Sequence, residues 1–221
     1  MGYQEDFIDF MVRSGVLTFG DFITKSGRKT PYFVNTGNYQ TAEQIAKLGQ
    51  YYAACIAEHL SGIDFLYGPA YKGIPLVIAA ATSLYRDHNI NIPYCFNRKE
   101  AKDHGEGGSL IGYKPQAGDH AMIIEDVITA GTSVKESVPL LKSIADVSVD
   151  ALIISVDRME KGDGDQTAIQ EIAGSFGITT TPIVTILDIV SHLHNHPVDG
   201  RIIIDDAMQA QIKKHLERYG A

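Results

Sequence analysis

From Ile63 onward the chain repeats one pattern: a short apolar run, a loop, then a stretch with helical spacing. Phe65-Leu66-Tyr67 leads into Gly68-Pro69, a helix is predicted from Pro75 to Arg86, and a strand from Ile92 to Phe96. Ala121-Met122-Ile123-Ile124 is the next strand, followed by a helix from Ser133 to Ile144 and a strand from Val149 to Val156. A helix from Gln166 to Phe176, a strand from Ile183 to Leu187 and a terminal helix from Ala207 to Tyr219 complete the series. Strands separated by helices pair in parallel, because each crossover must return to the same edge of the sheet. The expected class is therefore α/β, a central parallel sheet flanked by helices.

The segment ahead of this repeat reads differently. Glu5 to Arg13 is a short helix with Phe7, Ile8, Phe10 and Met11 on its apolar side. Val16 to Ile23 and Tyr32 to Asn35 are strand-like and flank the turn Lys25-Ser26-Gly27-Arg28; Thr41, with its hydroxyl as N-cap, opens a helix running to about His59. A length of 221 residues fits one domain. The expected division is a small N-terminal hood over residues 1–60, a core over 61–190 and a C-terminal extension over 191–221.

Between Arg98 and Gly118 lies a polar run containing Gly105, Gly107, Gly108 and Gly112. It is too long for an ordinary connection and reads as a mobile flap. Its cations matter because the formal net charge is −8. Such a balance argues against nucleic-acid binding. Yet Lys25, Arg28 and Lys29 cluster, as do Arg98, Lys99, Lys102 and His104. An acidic chain that gathers its cations locally suits a small polyanion.

Other signals are negative or bland. Glu5, Asp6 and Asp9 stand where a signal peptide needs positive charge, and no apolar run approaches the ~20 residues that span a bilayer. Cys55 and Cys95 lack metal spacing and read as buried small hydrophobes in a reducing compartment, so a cytoplasmic location is expected. Ser191-His192-Leu193-His194-Asn195-His196 alternates histidines without supporting cysteines or carboxylates, and reads as a solvated loop rather than a metal site. Neither GxxxxGK[ST] nor a strand followed by GxGxxG occurs.

The most informative string is Ile123-Ile124-Glu125-Asp126-Val127-Ile128-Thr129-Ala130-Gly131-Thr132-Ser133. An apolar strand ends in two acids, and a loop of small and hydroxyl residues opens a helix. Amides at such a helix start, with the hydroxyls of Thr129, Thr132 and Ser133, form a phosphate cradle. The adjacent carboxylates suit a neutral diol. The plain alternative is that Glu125 and Asp126 end a strand while Thr132 or Ser133 caps a helix.

The complete string resembles the phosphoribosyl pyrophosphate (PRPP) signature of the type I phosphoribosyltransferases, in which two acids hold the ribose hydroxyls and the loop holds the 5′-phosphate. Lys25-Ser26-Gly27-Arg28 with Pro31-Tyr32-Phe33-Val34-Asn35, Gly68-Pro69-Ala70-Tyr71-Lys72-Gly73, and Asn97-Arg98-Lys99-Glu100-Ala101-Lys102-Asp103-His104-Gly105 resemble the base-binding, pyrophosphate and catalytic-loop segments of the orotate phosphoribosyltransferases. The resemblance spans residues from about 20 to 160.

It implies the type I fold, with hood and flexible catalytic loop, and formation of orotidine monophosphate from orotate and PRPP with Mg²⁺ held mainly by PRPP. Lys25, Tyr71, Lys72, Arg98, Lys99, Lys102 and His104 would meet phosphate and diphosphate oxygens, joined by the signature from Glu125 through Ser133, Val127, Ile128, Ala130 and Gly131 included. Lys99, Lys102, His104 and Asp126 would carry catalysis. Lys25, Phe33, Val34, Thr129 and Arg158 would bind orotate. Arg98 and Lys102 would reach a neighbouring subunit's site, implying a homodimer.

Two positions depart from the pattern: Val34, where many relatives carry a second aromatic, and Glu125, where aspartate is common. Taken singly, Lys25 and Arg28 also read as solvated turn residues, Tyr71 as a surface aromatic, and Arg158 as an ion-pair partner of Asp157 or Glu160. Two rival functions share the PRPP signature: transfer to a purine or another pyrimidine, and non-catalytic PRPP sensing.

Overall fold

The computed structural model describes residues 2–24, 27–98, 109–128, 130–162 and 164–221. Along the chain run α1 (Tyr3–Arg13), β1 (Leu17–Ile23), β2 (Lys29–Val34), α2 (Ala42–His59), β3 (Phe65–Gly68), α3 (Gly73–His88), β4 (Tyr94–Asn97) and β5 (Leu110–Gly112). Then come β6 (His120–Ile124), α4 (Thr132–Ile144), β7 (Ser148–Asp157), α5 (Ala168–Phe176) and β8 (Thr179–Thr185). α6 (Ile186–Leu193), β9 (Pro197–Val198), β10 (Arg201–Ile202) and α7 (Asp206–Tyr219) complete the fold.

The main sheet has the order β5-β4-β3-β6-β7-β8. β3 pairs in parallel with both β4 and β6, and β6 with β7, so the expected parallel sheet is present. Phe65, Tyr67, Ala121, Ile123, Leu152 and Ile154 share one face and pack with Val134, Val138 and Leu141 of α4 and Ile172 of α5. The alternate residues Leu66, Met122, Ile124 and Ile153 are equally buried, so helices cover both faces, as parallel sheets require. Each such side chain removed from water contributes roughly 1.5–3 kcal/mol. Cys55 and Cys95 are both buried and form no disulfide among the described residues, and burial pushes the Cys95 thiol up to about 12.

The chain forms two compact units: one of residues 1–44, 156–167 and 184–221, the other of 45–155 and 168–183. In the first, α1 buries Phe7, Ile8, Phe10 and Met11, and β1 and β2 form an antiparallel hairpin from Leu17↔Val34 to Ile23↔Lys29. At the entry to α2 the Thr41 hydroxyl accepts from the Gln44 amide at 3.2 Å, the N-cap expected there.

Three expectations are corrected. The run from Arg98 to Gly118 is not one loop, because β5 returns antiparallel to β4, with Asn97↔Leu110 and Cys95↔Gly112 in register. Gly112 makes this possible: its φ is 94°, and a Cβ there would strike the Tyr94 carbonyl. So short a strand carries no readable periodicity. The strand expected over Ile183 to Leu187 ends at Thr185, which caps α6: its Oγ1 accepts from the Asp188 amide at 3.2 Å while the Asp188 carboxylate accepts from the Thr185 amide at 2.8 Å. That capping box overrides the β propensity of the apolar run.

The histidine run is not a solvated loop throughout. His192 lies on α6, and its Nε2 is 2.9 Å from Oδ1 of the buried Asp9. His194 meets Asp206 at 2.8 Å. Among the described residues no three metal-capable side chains gather.

Candidate active site

In the second unit, β3, β4 and β6 deliver their C-terminal ends side by side, where parallel α/β sheets place ligands. β3 runs into Gly68-Pro69-Ala70-Tyr71-Lys72-Gly73, a loop closed on itself. A Cβ at Gly68 would run into the Gly73 carbonyl, and one at Gly73 would lie 2.7 Å from Pro69 Cδ. Both positions therefore require glycine. Asn97, at the end of β4, braces the loop by accepting from the Ala70 amide at 2.7 Å. The Ala70–Tyr71 peptide is cis. Tyr71 projects outward at 68% exposure, and Lys72 sits at the N-cap of α3.

β6 ends at the two acids, both buried. Their backbone is fixed from three sides. The Glu125 amide donates to Ile153 O at 3.0 Å, the Tyr52 hydroxyl of α2 donates to Glu125 O at 2.6 Å, and the Ser155 hydroxyl and amide donate to Asp126 O at 2.6 and 2.8 Å. The Lys72 ammonium donates to Asp126 Oδ2 at 2.8 Å. Burial and the neighbouring Asp126 charge push Glu125 up to about 7, against the Ser133 hydroxyl and Lys72, which favour its ionised form.

Beyond the acids, Val127 and Ile128 are half-buried and Ala130 is exposed. Gly131 occupies the N-cap of α4 at φ 65°, a left-handed conformation that favours glycine. No side chain among the described residues caps this helix. A helix start of this kind, with Thr132 and Ser133 in its first turn, is suited to an anion. Arg98 follows β4, its amide donating to Ser109 O at 2.8 Å. Lys25, Lys99, Lys102, His104 and Thr129 lie outside the described residues.

In the first unit, Phe33 and Val34 are half-buried on β2, with the Phe33 ring 5.7 Å from that of Phe22. Arg158 follows β7. The ion pair foreseen as its plain alternative is present: Nη2 and Nε meet Glu160 Oε1 at 2.8 and 3.2 Å. Arg28 is no solvated turn residue, since it donates to Glu160 Oε2 at 3.3 Å and to Lys161 O at 3.2 Å. Tyr52, Ser155, Asn97 and Glu160 were not singled out as site residues from the sequence. The partners of Tyr52, Ser155 and Asn97 lie 73, 29 and 27 residues away along the chain, so no local motif exposes them, whereas Glu160 stands two residues from Arg158 and was foreseen only as its ion-pair partner.

A sheet of this order, with paired acids at the end of β6 feeding an uncapped helix start and a glycine-closed loop after β3, defines a type I phosphoribosyltransferase fold. No family model matches the chain. It is 52% identical over 220 residues to the orotate phosphoribosyltransferase of Clostridium beijerinckii, covering 99% of this chain and 98% of that one. It is 52% identical over 219 residues to the enzyme of the same name from Clostridium acetobutylicum, with the same coverage. The crystal structure of the orotate phosphoribosyltransferase of Francisella tularensis superposes with a TM-score of 0.85 at 36% identity, covering 98% of this chain and all of that one. The chain belongs to the orotate phosphoribosyltransferase family.

Proposed function

We propose that this chain transfers the phosphoribosyl group of PRPP to N1 of orotate, giving orotidine 5′-monophosphate and pyrophosphate, a step of pyrimidine biosynthesis. The observation that carries the reading is the 2.8 Å contact between Lys72 and Asp126. It sets a cation suited to a diphosphate beside a carboxylate suited to a ribose diol, the two groups that flank the reacting carbon of PRPP.

In the reaction, orotate N1 forms the bond to the anomeric carbon and its proton passes to the departing pyrophosphate or to solvent. The bond from that carbon to the diphosphate oxygen breaks, and its electron pair leaves with pyrophosphate. Positive charge develops on the ribose ring and negative charge on the leaving group. Catalysis is then chiefly electrostatic, with Lys72, and by resemblance Lys99, Lys102 and His104, facing the departing oxygens. Glu125 and Asp126 hold the ribose hydroxyls, and the amides of the α4 start with Thr132 and Ser133 hold the 5′-phosphate. Resemblance assigns Lys25, Phe33, Val34, Thr129 and Arg158 to orotate. No covalent enzyme intermediate is needed.

The donor set fits a magnesium ion brought in on substrate oxygens. Glu125 and Asp126 are the carboxylates that would hold the ion when PRPP brings it in, and Asp126 is already engaged by Lys72. When bound, Mg²⁺ neutralises charge building on the diphosphate. A homodimer in which Arg98 and Lys102 serve the neighbouring site follows from the same resemblance. A cytoplasmic location is proposed from the two buried cysteines, which suit a reducing compartment; among the described residues no helix is long and apolar enough to cross a membrane.

The test is to follow orotate absorbance with PRPP and Mg²⁺, with adenine, hypoxanthine and uracil as competing bases. Orotate loss that stops without Mg²⁺ is expected. PRPP binding without orotate consumption would move the reading to another base or to a PRPP sensor.

A further inference from the structure

Glu160 stands two residues from Arg158 and is unusual for a carboxylate. Its side chain is 9% exposed, yet four residues converge on it. Oε1 accepts from the Tyr32 hydroxyl at 2.5 Å and from Arg158 at 2.8 and 3.2 Å, and lies 3.1 Å from His215 Nε2; Oε2 accepts from Arg28 at 3.3 Å. A carboxylate so enclosed is expensive to bury unless it is paired and hydrogen-bonded, which it is. Burial alone would raise its pKa, but Arg158, Tyr32 and His215 together hold it below the ordinary carboxylate range.

This arrangement acts on Arg158 directionally. Glu160 takes Nε and Nη2, and the Tyr32 ring lies 4.9 Å from the guanidinium carbon. Thr30 Oγ1 adds a contact to Nη2 at 3.4 Å. Nη1 has no hydrogen-bond partner among the described residues. A planar guanidinium pinned along one edge and stacked on one face has a single orientation left for its remaining donors. The pin is itself anchored by the C-terminal helix. His215 and Tyr219 belong to α7; the Tyr219 ring lies 4.6 Å from the Arg28 guanidinium, and Tyr219 O accepts from the Lys161 amide at 2.8 Å.

We propose that Glu160 is a positioning residue for orotate: locked by Tyr32, His215 and Arg28, it fixes the Arg158 guanidinium so that Nη1 presents its donors to the acceptors of the base. The inference rests on the assignment of orotate to Arg158 made above. It adds a specificity device built from residues of β2, the segment after β7, and α7.

The experiment measures steady-state kinetics for both substrates with wild type, Glu160→Gln, Arg158→Lys and the double variant, with Tyr32→Phe as a milder probe that deletes one bond to Glu160. Loosening one charge-assisted contact predicts a roughly tenfold rise in KM for orotate in Glu160→Gln, with KM for PRPP within about twofold of wild type. Tyr32→Phe should move KM for orotate in the same direction by roughly threefold, and it carries the test if Glu160→Gln does not fold. In the Arg158→Lys background, Glu160→Gln should add little, because the two act as one unit. Equal rises in both KM values, or full additivity with Arg158→Lys, would show Glu160 to be only structural and overturn the inference. A wild-type chain that consumes no orotate overturns the functional reading as well, which separates the two failures.

Discussion

The Tyr52 hydroxyl, buried on α2, donates to the backbone carbonyl of Glu125 at 2.6 Å, and so ties a helix to the point where β6 ends in its two acids. Replacing Tyr52 with Phe leaves that carbonyl without this donor. A loss of about 1–3 kcal/mol in stability is expected, read by denaturant unfolding. KM for PRPP should rise while KM for orotate changes less.

Glu125 is expected to titrate near pH 7 in the folded protein, from an ordinary value of 4.5, because burial and then Asp126 disfavour its charge. Between those values the folded state retains a proton that the unfolded chain releases. Stability should therefore fall as pH rises from about 4.5 to about 7 and then level off. Thermal melts across this range should show that slope in wild type and a flatter line in Glu125→Gln. PRPP affinity should strengthen as Glu125 ionises, since the carboxylate is the better acceptor for ribose hydroxyls.

Gly68→Ala places a methyl against the Gly73 carbonyl, backbone that cannot step aside. Strain of roughly 1–3 kcal/mol is expected, together with weakened PRPP binding because the loop carrying Lys72 must open. A lower melting midpoint with unchanged PRPP affinity would separate the fold of this loop from its function.

Lys72→Ala removes the cation beside Asp126. By comparison with deletion of other preorganised donors, kcat should fall by roughly 10². Asp126→Asn should instead raise KM for PRPP. Lys102→Ala should lower turnover far more than orotate binding; equal losses in both would remove Lys102 from the chemistry.

The central strands of the sheet were legible because Phe65 to Tyr67, Ala121 to Ile124 and Leu152 to Ile154 are continuous apolar runs, the composition that burial on both faces demands. The acids after β6 and the start of α4 were legible because their residues are consecutive. β5 was not, being three residues long within a glycine-rich stretch. Nor was the helical start at Ile186, where a capping box interrupts a run of high β propensity. The supports Tyr52, Ser155 and Asn97 left no local trace. Each acts on a group distant in sequence, and a hydrogen bond of that kind is specified only once the sheet has brought its ends together.

The most direct measurement is product identity in a timed reaction of the purified chain with orotate, PRPP and Mg²⁺, resolved by mass spectrometry beside a pyrophosphate assay. Orotidine 5′-monophosphate and pyrophosphate should appear in equal amounts, each matching the orotate consumed. Pyrophosphate released with free ribose 5-phosphate and intact orotate, or a nucleotide formed only from another base, would contradict the account.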